Sequence, residues 1–272
     1  MTDILSDGDT DVTSTSGRDA LERYAPDAAS TFGMVVAVRP AGVHDELLEA
    51  PAVRAFADQF RTDVSRVDDE LRRELDEAAG EHLVAVVQMI WIGDVEPRLH
   101  AVLDQLFGPS DWPTSRRIPV RDVWGVIDEF MRAVARHAAL DATTTELVRL
   151  RGARQHDCRL CQSRRAVAAI SAGADEATFN AVDHYEDSDL PESTKAALAL
   201  TDAVIWTPSA IPGDVVTRVR EHLTDAQSVE VVLDVIRNAT NKIAVALAQD
   251  EPEVTEGVQL FVTDADGLLT TV

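Results

Sequence analysis

Over most of its length the chain repeats apolar residues at three- and four-residue steps, a period that builds helices buried on one face. In "VRDVWGVIDEFMRAVARHAAL" (120–140) the stripe is Val120, Val123, Ile127, Met131 and Val134, the pattern of an amphipathic helix. The same period predicts helices over 51–61, 66–78, 80–92 and 96–107, closed by the breaker-rich "GPSDWPTS" at 108–115. Further helices are expected after the caps offered by Thr143 to Thr145, then over 158–171, 175–183, 192–206, 212–222 and 226–247. The last of these opens on Thr224-x-x-Gln227, a capping-box pattern in which each residue satisfies the other's backbone N–H. Extended signals are confined to "MVVAVRP" (34–40) and "VQLFVTDADGLLTTV" (258–272), where "DADG" between apolar runs predicts a hairpin. Residues 1–30, rich in Asp, Ser, Thr and Gly, read as a disordered tail. The expected architecture is an all-α multi-helix bundle with short strands near its N- and C-terminal ends. Its parts are the tail (1–30), an N-terminal helical region (31–115), a second helical domain (116–250) and a C-terminal extension (251–272).

Composition narrows the function. Hydrophobic residues make up 45% of the chain, enough for a sizeable core. No run approaches the ~18 apolar residues of a membrane-spanning helix, and "MTDILSDGDTDVTSTSGRD" is too acidic for a signal peptide, so a cytoplasmic location is expected. With 48 acidic and 25 basic residues the formal net charge is −23, a surface that repels nucleic-acid phosphates and anionic lipids. Neither nucleic acid nor membrane is an expected partner. There is no glycine-rich phosphate loop, no G-x-S-x-G elbow and no cofactor motif. Isolated tryptophans (Trp91, Trp112, Trp124, Trp206) are expected to anchor the core or an interface.

The chemistry-bearing residues gather between 146 and 165. Both cysteines of the chain, Cys158 and Cys161, form a C-x-x-C, a spacing that points to redox or metal chemistry in a protein without a disulfide framework. Between 149 and 165 six arginines (149, 151, 154, 159, 164 and 165) stand around them against Asp157 as the only acid. That local positive charge, with the N-terminal end of a helix, would favour a thiolate. Zinc would need two further ligands, and no second C-x-x-C or H-x-x-x-H is present; the arginines also oppose a dication. No metal is therefore expected. Glu146 lies twelve residues before Cys158, with "GARQHD" between them to turn the chain back. Packed as a helical hairpin, its carboxylate would face the sulfurs as a base or proton relay; the simpler alternative is a first-turn acid stabilising its own helix.

A glutamate, a twelve-residue step to C-x-x-C at a helix start, then "AGADEATFNAV", "STKAALALTDAV" and "SVEVVLDVIRNATNKIAVAL" resemble the AhpD-like, carboxymuconolactone decarboxylase family over about residues 118–250. The resemblance implies an all-α fold, a homo-oligomer and a thiol-dependent alkylhydroperoxidase. In such a peroxidase the second cysteine, here Cys161, is oxidised to a sulfenic acid, and the first, Cys158, resolves it. Glu146 matches the relay carboxylate, and a disulfide-exchange protein supplies the electrons. Where the family pattern continues with a histidine four residues after the second cysteine, this chain has Arg165, and the position just before the second cysteine is Leu160. One helical turn from Cys161, Arg165 would stabilise a thiolate by charge, but a guanidinium stays protonated and cannot shuttle protons. His156, two residues before Cys158, is the auxiliary proton carrier this leaves, and the basic island would also select an anionic substrate, such as a carboxylate-bearing hydroperoxide or lactone.

The expected function is a cofactor-independent antioxidant oxidoreductase that cycles a redox-active dithiol against a small-molecule hydroperoxide. Two alternatives are a decarboxylase-like enzyme that does not use the thiols and a redox-sensing binding protein without turnover.

Overall fold

A computed structural model describes residues 15–114 and 117–272. The fold is mostly helical, as the apolar period requires. It opens with α1 (Gly17–Tyr24) and α2 (Pro26–Ala37), so the polar tail expected up to residue 30 stops short of Gly17, and its first fourteen residues lie outside the described ones. Ser16 closes a capping box with Asp19, and Pro26 starts α2 at a position where its missing N–H costs nothing. The buried stripe here is Ala20, Leu21, Ala25, Ala28 and Phe32, mostly alanine and therefore faint as a hydrophobic signal. Gly17 sits where a Cβ would meet the Leu103 carbonyl carbon at 2.7 Å, which lets α1 press directly against the backbone of a later helix.

The chain continues through β1 (Val38–Pro40), α3 (Asp45–Leu48), α4 (Pro51–Thr62), α5 (Asp69–Ala79) and α6 (Leu83–Phe107). Helix α6 replaces the two helices expected at 80–92 and 96–107: it runs through Pro97 for 25 residues and buries Val87, Trp91, Ile92, Val95, Leu99 and Leu103. After β2 (Ile118–Val120), which pairs in parallel with β1, come α7 (Val123–Ala135) and α8 (Ala142–Gln155), the latter capped by Asp141 rather than by the threonines.

The helix expected at 158–171 is interrupted. Its place is taken by α9 (Arg159–Gln162), β3 (Arg164–Ala166) and α10 (Val167–Ser171). Then follow α11 (Glu176–Asn180), α12 (Glu192–Trp206), α13 (Gly213–His222), α14 (Asp225–Asn238, with the Thr224–Gln227 capping box in place), α15 (Asn241–Ala246), β4 (Gln259–Thr263) and β5 (Leu269–Thr271). The last two strands form the expected antiparallel hairpin, and β3 adds to β4 in parallel to make a three-stranded sheet. Gly267, at φ +80°, lies so close to the Arg132 carbonyl that any side chain there would collide with α7, so the hairpin is seated on that helix.

Helix α14 lies in the middle of the bundle, with Val229, Val231, Val232, Leu233 and Ile236 buried and α1, α6, α7, α8 and α12 packed around it. One continuous core joins Phe32, Phe56, Trp91 and Leu99 to Ile127, Leu200 and Ile236. Residues from both sides of the division expected near residue 115 contribute to this core. A smaller cluster, Leu147, Leu150, Phe179, Val182 and Leu198, lies between α8, α11 and α12. Trp91 is fully buried, whereas Trp124 and Trp206 are exposed. No described helix is long and apolar enough to cross a membrane.

Candidate functional site

The turn that delivers the cysteines is built at the C-terminus of α8. Asp157 adopts φ +51° and ends the helix; its N–H bonds the Arg154 carbonyl at 3.1 Å and the Cys158 N–H bonds the Ala153 carbonyl at 2.9 Å, a Schellman arrangement with aspartate in place of glycine. Cys158 then caps α9, its Sγ accepting the Cys161 N–H at 3.2 Å. The two cysteines are joined as a disulfide with Cα atoms 5.3 Å apart. Cys158 is completely buried in the main core, while Cys161 is only partly covered.

The surroundings of the sulfurs differ from the expected basic island. Every arginine of the segment has a carboxylate partner. Arg149 pairs with Glu146, Arg151 with Asp202, Arg154 with Asp183, Arg159 with Asp250, Arg164 with Glu253 and Arg165 with Glu176. Five of those six acids lie outside the segment and reach it only through the fold. Asp250 also occupies the end of α9: its carboxylate accepts the Arg159 N–H and its carbonyl the Leu160 N–H, both at 2.9 Å. The positive charge and helix-end N–H groups that would have steadied a thiolate are thus committed elsewhere, apart from the Cys161 N–H on Cys158.

Glu146 is 2% exposed, too deep for a solvated first-turn acid, and it does not stand free as a base. Arg149 grips it with two bonds of 2.7 Å, and it also accepts the Ala166 N–H at 3.2 Å. The same guanidinium donates to the carbonyls of Cys161 and Arg164, each at 2.8 Å. Glu146 therefore holds the cysteine turn and β3 in place through Arg149.

Arg165 is not one helical turn from Cys161, because α9 ends at Gln162 and the chain runs extended from there. Its buried guanidinium bonds Glu176 and the carbonyls of Gln162 and Arg164, and lies 5.2 Å over the Phe179 ring. His156 is buried as well, with Nδ1 2.9 Å from Asn241 Oδ1. Burial, reinforced by the Lys242 charge, pushes its pKa down to about 3. An imidazole held neutral in this way carries protons poorly near neutrality. It belongs to an internal polar cluster in which Asp94 takes bonds from Lys242 (2.6 Å) and Arg98 (2.7 Å).

Sequence reasoning missed a second concentration of polar groups. A cavity of ≈ 270 Å³ opens between the end of α7, α8, α14 and the sheet, lined by His137, Glu146, Arg149, Glu230, Asp234 and Arg237 with Val134, Leu140, Phe261 and Leu269. Burial raises the Asp234 pKa to about 7 against the opposing pull of Arg237. Glu230 is also raised by burial, though it accepts the N–H groups of Ala139 (2.5 Å) and Leu140 (3.1 Å). The signal was present as two acids and an arginine at steps of four and three within the apolar run of α14. Among the described residues, no group of three or more His, Cys, Asp and Glu side chains is placed to hold a metal ion.

Two Mycobacterium tuberculosis proteins, the uncharacterized MT2376 (strain CDC 1551 / Oshkosh) and Rv2313c (strain ATCC 25618 / H37Rv), are each 39% identical to this chain over 233 residues, covering 80% of it and 81% of their own length. The chain belongs to their family. The uncharacterized protein YdfG of Bacillus subtilis (strain 168) is 29% identical over 121 residues, which span 43% of this chain and 82% of YdfG. No protein-family model matches, and no solved structure does. Membership in the family of MT2376 and Rv2313c carries no activity with it, so the functional reading rests on the geometry of the site.

Proposed function

We propose that the protein is a thiol-dependent hydroperoxide reductase, resembling the AhpD-like enzymes, that cycles Cys158 and Cys161 between dithiol and disulfide. The observation that carries this reading is the asymmetry of the pair: Cα atoms 5.3 Å apart, within the span a disulfide bridges without backbone movement, with one sulfur sealed in the core and the other partly exposed. Exposure makes Cys161 the sulfur that meets peroxide. Its thiolate attacks the O–O bond, the bond breaks, and an alcohol leaves as Cys161 becomes a sulfenic acid. Cys158 then displaces the sulfenic oxygen as water and the disulfide forms. The two thiol protons end on the alcohol and the water, and an external dithiol protein returns two electrons by exchange. Glu146 is a positioning residue in this scheme, acting through Arg149 on the Cys161 backbone. A cytoplasmic homo-oligomer is part of the same proposal.

The test is hydroperoxide consumption by the reduced protein with excess dithiothreitol. Wild type should turn over repeatedly, and Cys161→Ser should lower the rate at least a hundredfold with the fold intact. Consumption that stops at one equivalent would favour a sensor. Equal rates in wild type and Cys161→Ser would refute the thiol chemistry.

A further inference from the structure

The cavity between α8, α14 and the sheet has a polar end that the protein itself leaves unfinished. Glu146 and Arg149 satisfy each other, and Glu230 is held by two backbone N–H groups. Arg237 is different: among the described residues its guanidinium has no hydrogen bond and no ion pair, although burial disfavours its charge. Three residues earlier on the same helix, Asp234 is 3% exposed and its Oδ2 has no partner, and the buried Nε2 of His137 has none either. Buried polar atoms in native proteins are nearly always bonded, so two unmatched buried atoms around one cavity, beside a part-exposed guanidinium that pairs with nothing, mark a place where a ligand supplies the partners. Apolar side chains complete the lining: Val134, Leu140, Leu269 and Phe261, whose ring lies under the Arg149 guanidinium at 5.3 Å.

We infer that this cavity binds a small amphipathic carboxylate, its carboxylate on Arg237 and its hydrocarbon part against Phe261 and Leu269. A guanidinium presents donors in the fork that matches a carboxylate's two oxygens, which a neutral head group cannot use equally. The ≈ 270 Å³ volume is enough for a short-chain acid. His137, through an N–H on Nε2, and Asp234, when protonated, donate to the carboxylate, and an ionised Asp234 accepts instead from a hydroxyl next to it. The site uses neither sulfur, although Arg149 in its lining also donates to the Cys161 carbonyl.

Isothermal titration of the full-length protein with hexanoate, hexan-1-ol and hexylamine tests the inference by changing the head group at constant chain length. Hexanoate should give a saturable one-to-one isotherm, hexan-1-ol should bind at least tenfold more weakly and hexylamine not measurably. Arg237→Met should cost hexanoate at least tenfold while leaving the far-ultraviolet circular dichroism unchanged. Arg237→Lys, which keeps the charge, should recover part of that loss. Absence of saturable hexanoate binding, preference for the amine or the alcohol, or an unchanged hexanoate affinity in a folded Arg237→Met protein would overturn it.

Discussion

Asp234 carries a clear pH signature. Its pKa rises on folding from 3.8 to about 7, chiefly through burial, so the folded state holds a proton that the unfolded chain releases. The resulting stability is fully present below pH 3.8 and is lost as pH climbs through about 7. Arg237 and Glu230 act on the carboxyl from its own helix, and Glu146, Arg149 and His137 face the cavity from α8 and the end of α7. Asp234→Asn removes the titration. Urea unfolding at a series of pH values should show the variant gaining on wild type as pH rises, by about 4 kcal/mol at pH 8. A constant difference across that range would mean Asp234 ionises freely in the fold. His156 has the opposite sign, since its pKa falls to about 3: the unfolded chain takes up a proton on acidification that the folded state refuses, and stability drops between pH 6.5 and about 3. Neither behaviour was legible in the sequence, where a histidine beside C-x-x-C looks like a proton carrier and an aspartate in a helix looks solvated; burial decides both.

The interruption between α9 and α10 sets what Arg165 does. With the chain extended over Arg164–Ala166, the guanidinium turns into the pocket formed by Glu176, Phe179 and two backbone carbonyls, where it ties α11 to the cysteine loop. Arg165→Ala should therefore lower unfolding stability by about 1–3 kcal/mol, the cost of leaving buried acceptors unmatched, and leave the pH titration of the reduced thiols where it was. A raised thiol pKa in that variant would restore the role expected from the C-x-x-C-x-x-x-Arg spacing. The elements that were readable carry local signals. Helix α12 coincides with the expected 192–206, the capping box opens α14, and the turn residues Asp264–Gly267 sit between the hairpin strands. Strand β3 was not readable because its hydrogen-bonding partner, β4, lies far along the chain. The arginine segment failed likewise: a charge count over nearby residues sees Asp157, not Asp202, Asp250 or Glu253.

At the scale of the molecule, both lysines of the chain, Lys195 and Lys242, are buried, and Lys242 links a C-terminal helix to α6. It reaches from α15 to Asp94 on α6, lies 4.5 Å over the Phe60 ring, and shares the carboxylate with Arg98. Burial lowers its pKa to about 8 while Asp94 resists the fall. Asp94→Ala strips the counter-charge from the buried Lys242 and the partly buried Arg98 and should cost about 3–5 kcal/mol. The shared core adds a sharper expectation: calorimetry should record one cooperative transition for wild type, with the calorimetric and van't Hoff enthalpies equal. Two resolved transitions would separate the N-terminal helices from the rest, as the division near residue 115 suggested.

The most direct measurement is chemical trapping on the reduced Cys158→Ser protein after one equivalent of hydroperoxide, read by peptide mass spectrometry. The dithiol account predicts a dimedone adduct on Cys161 in nearly every molecule. A Cys161 that emerges unmodified and still titratable as a free thiol would contradict it.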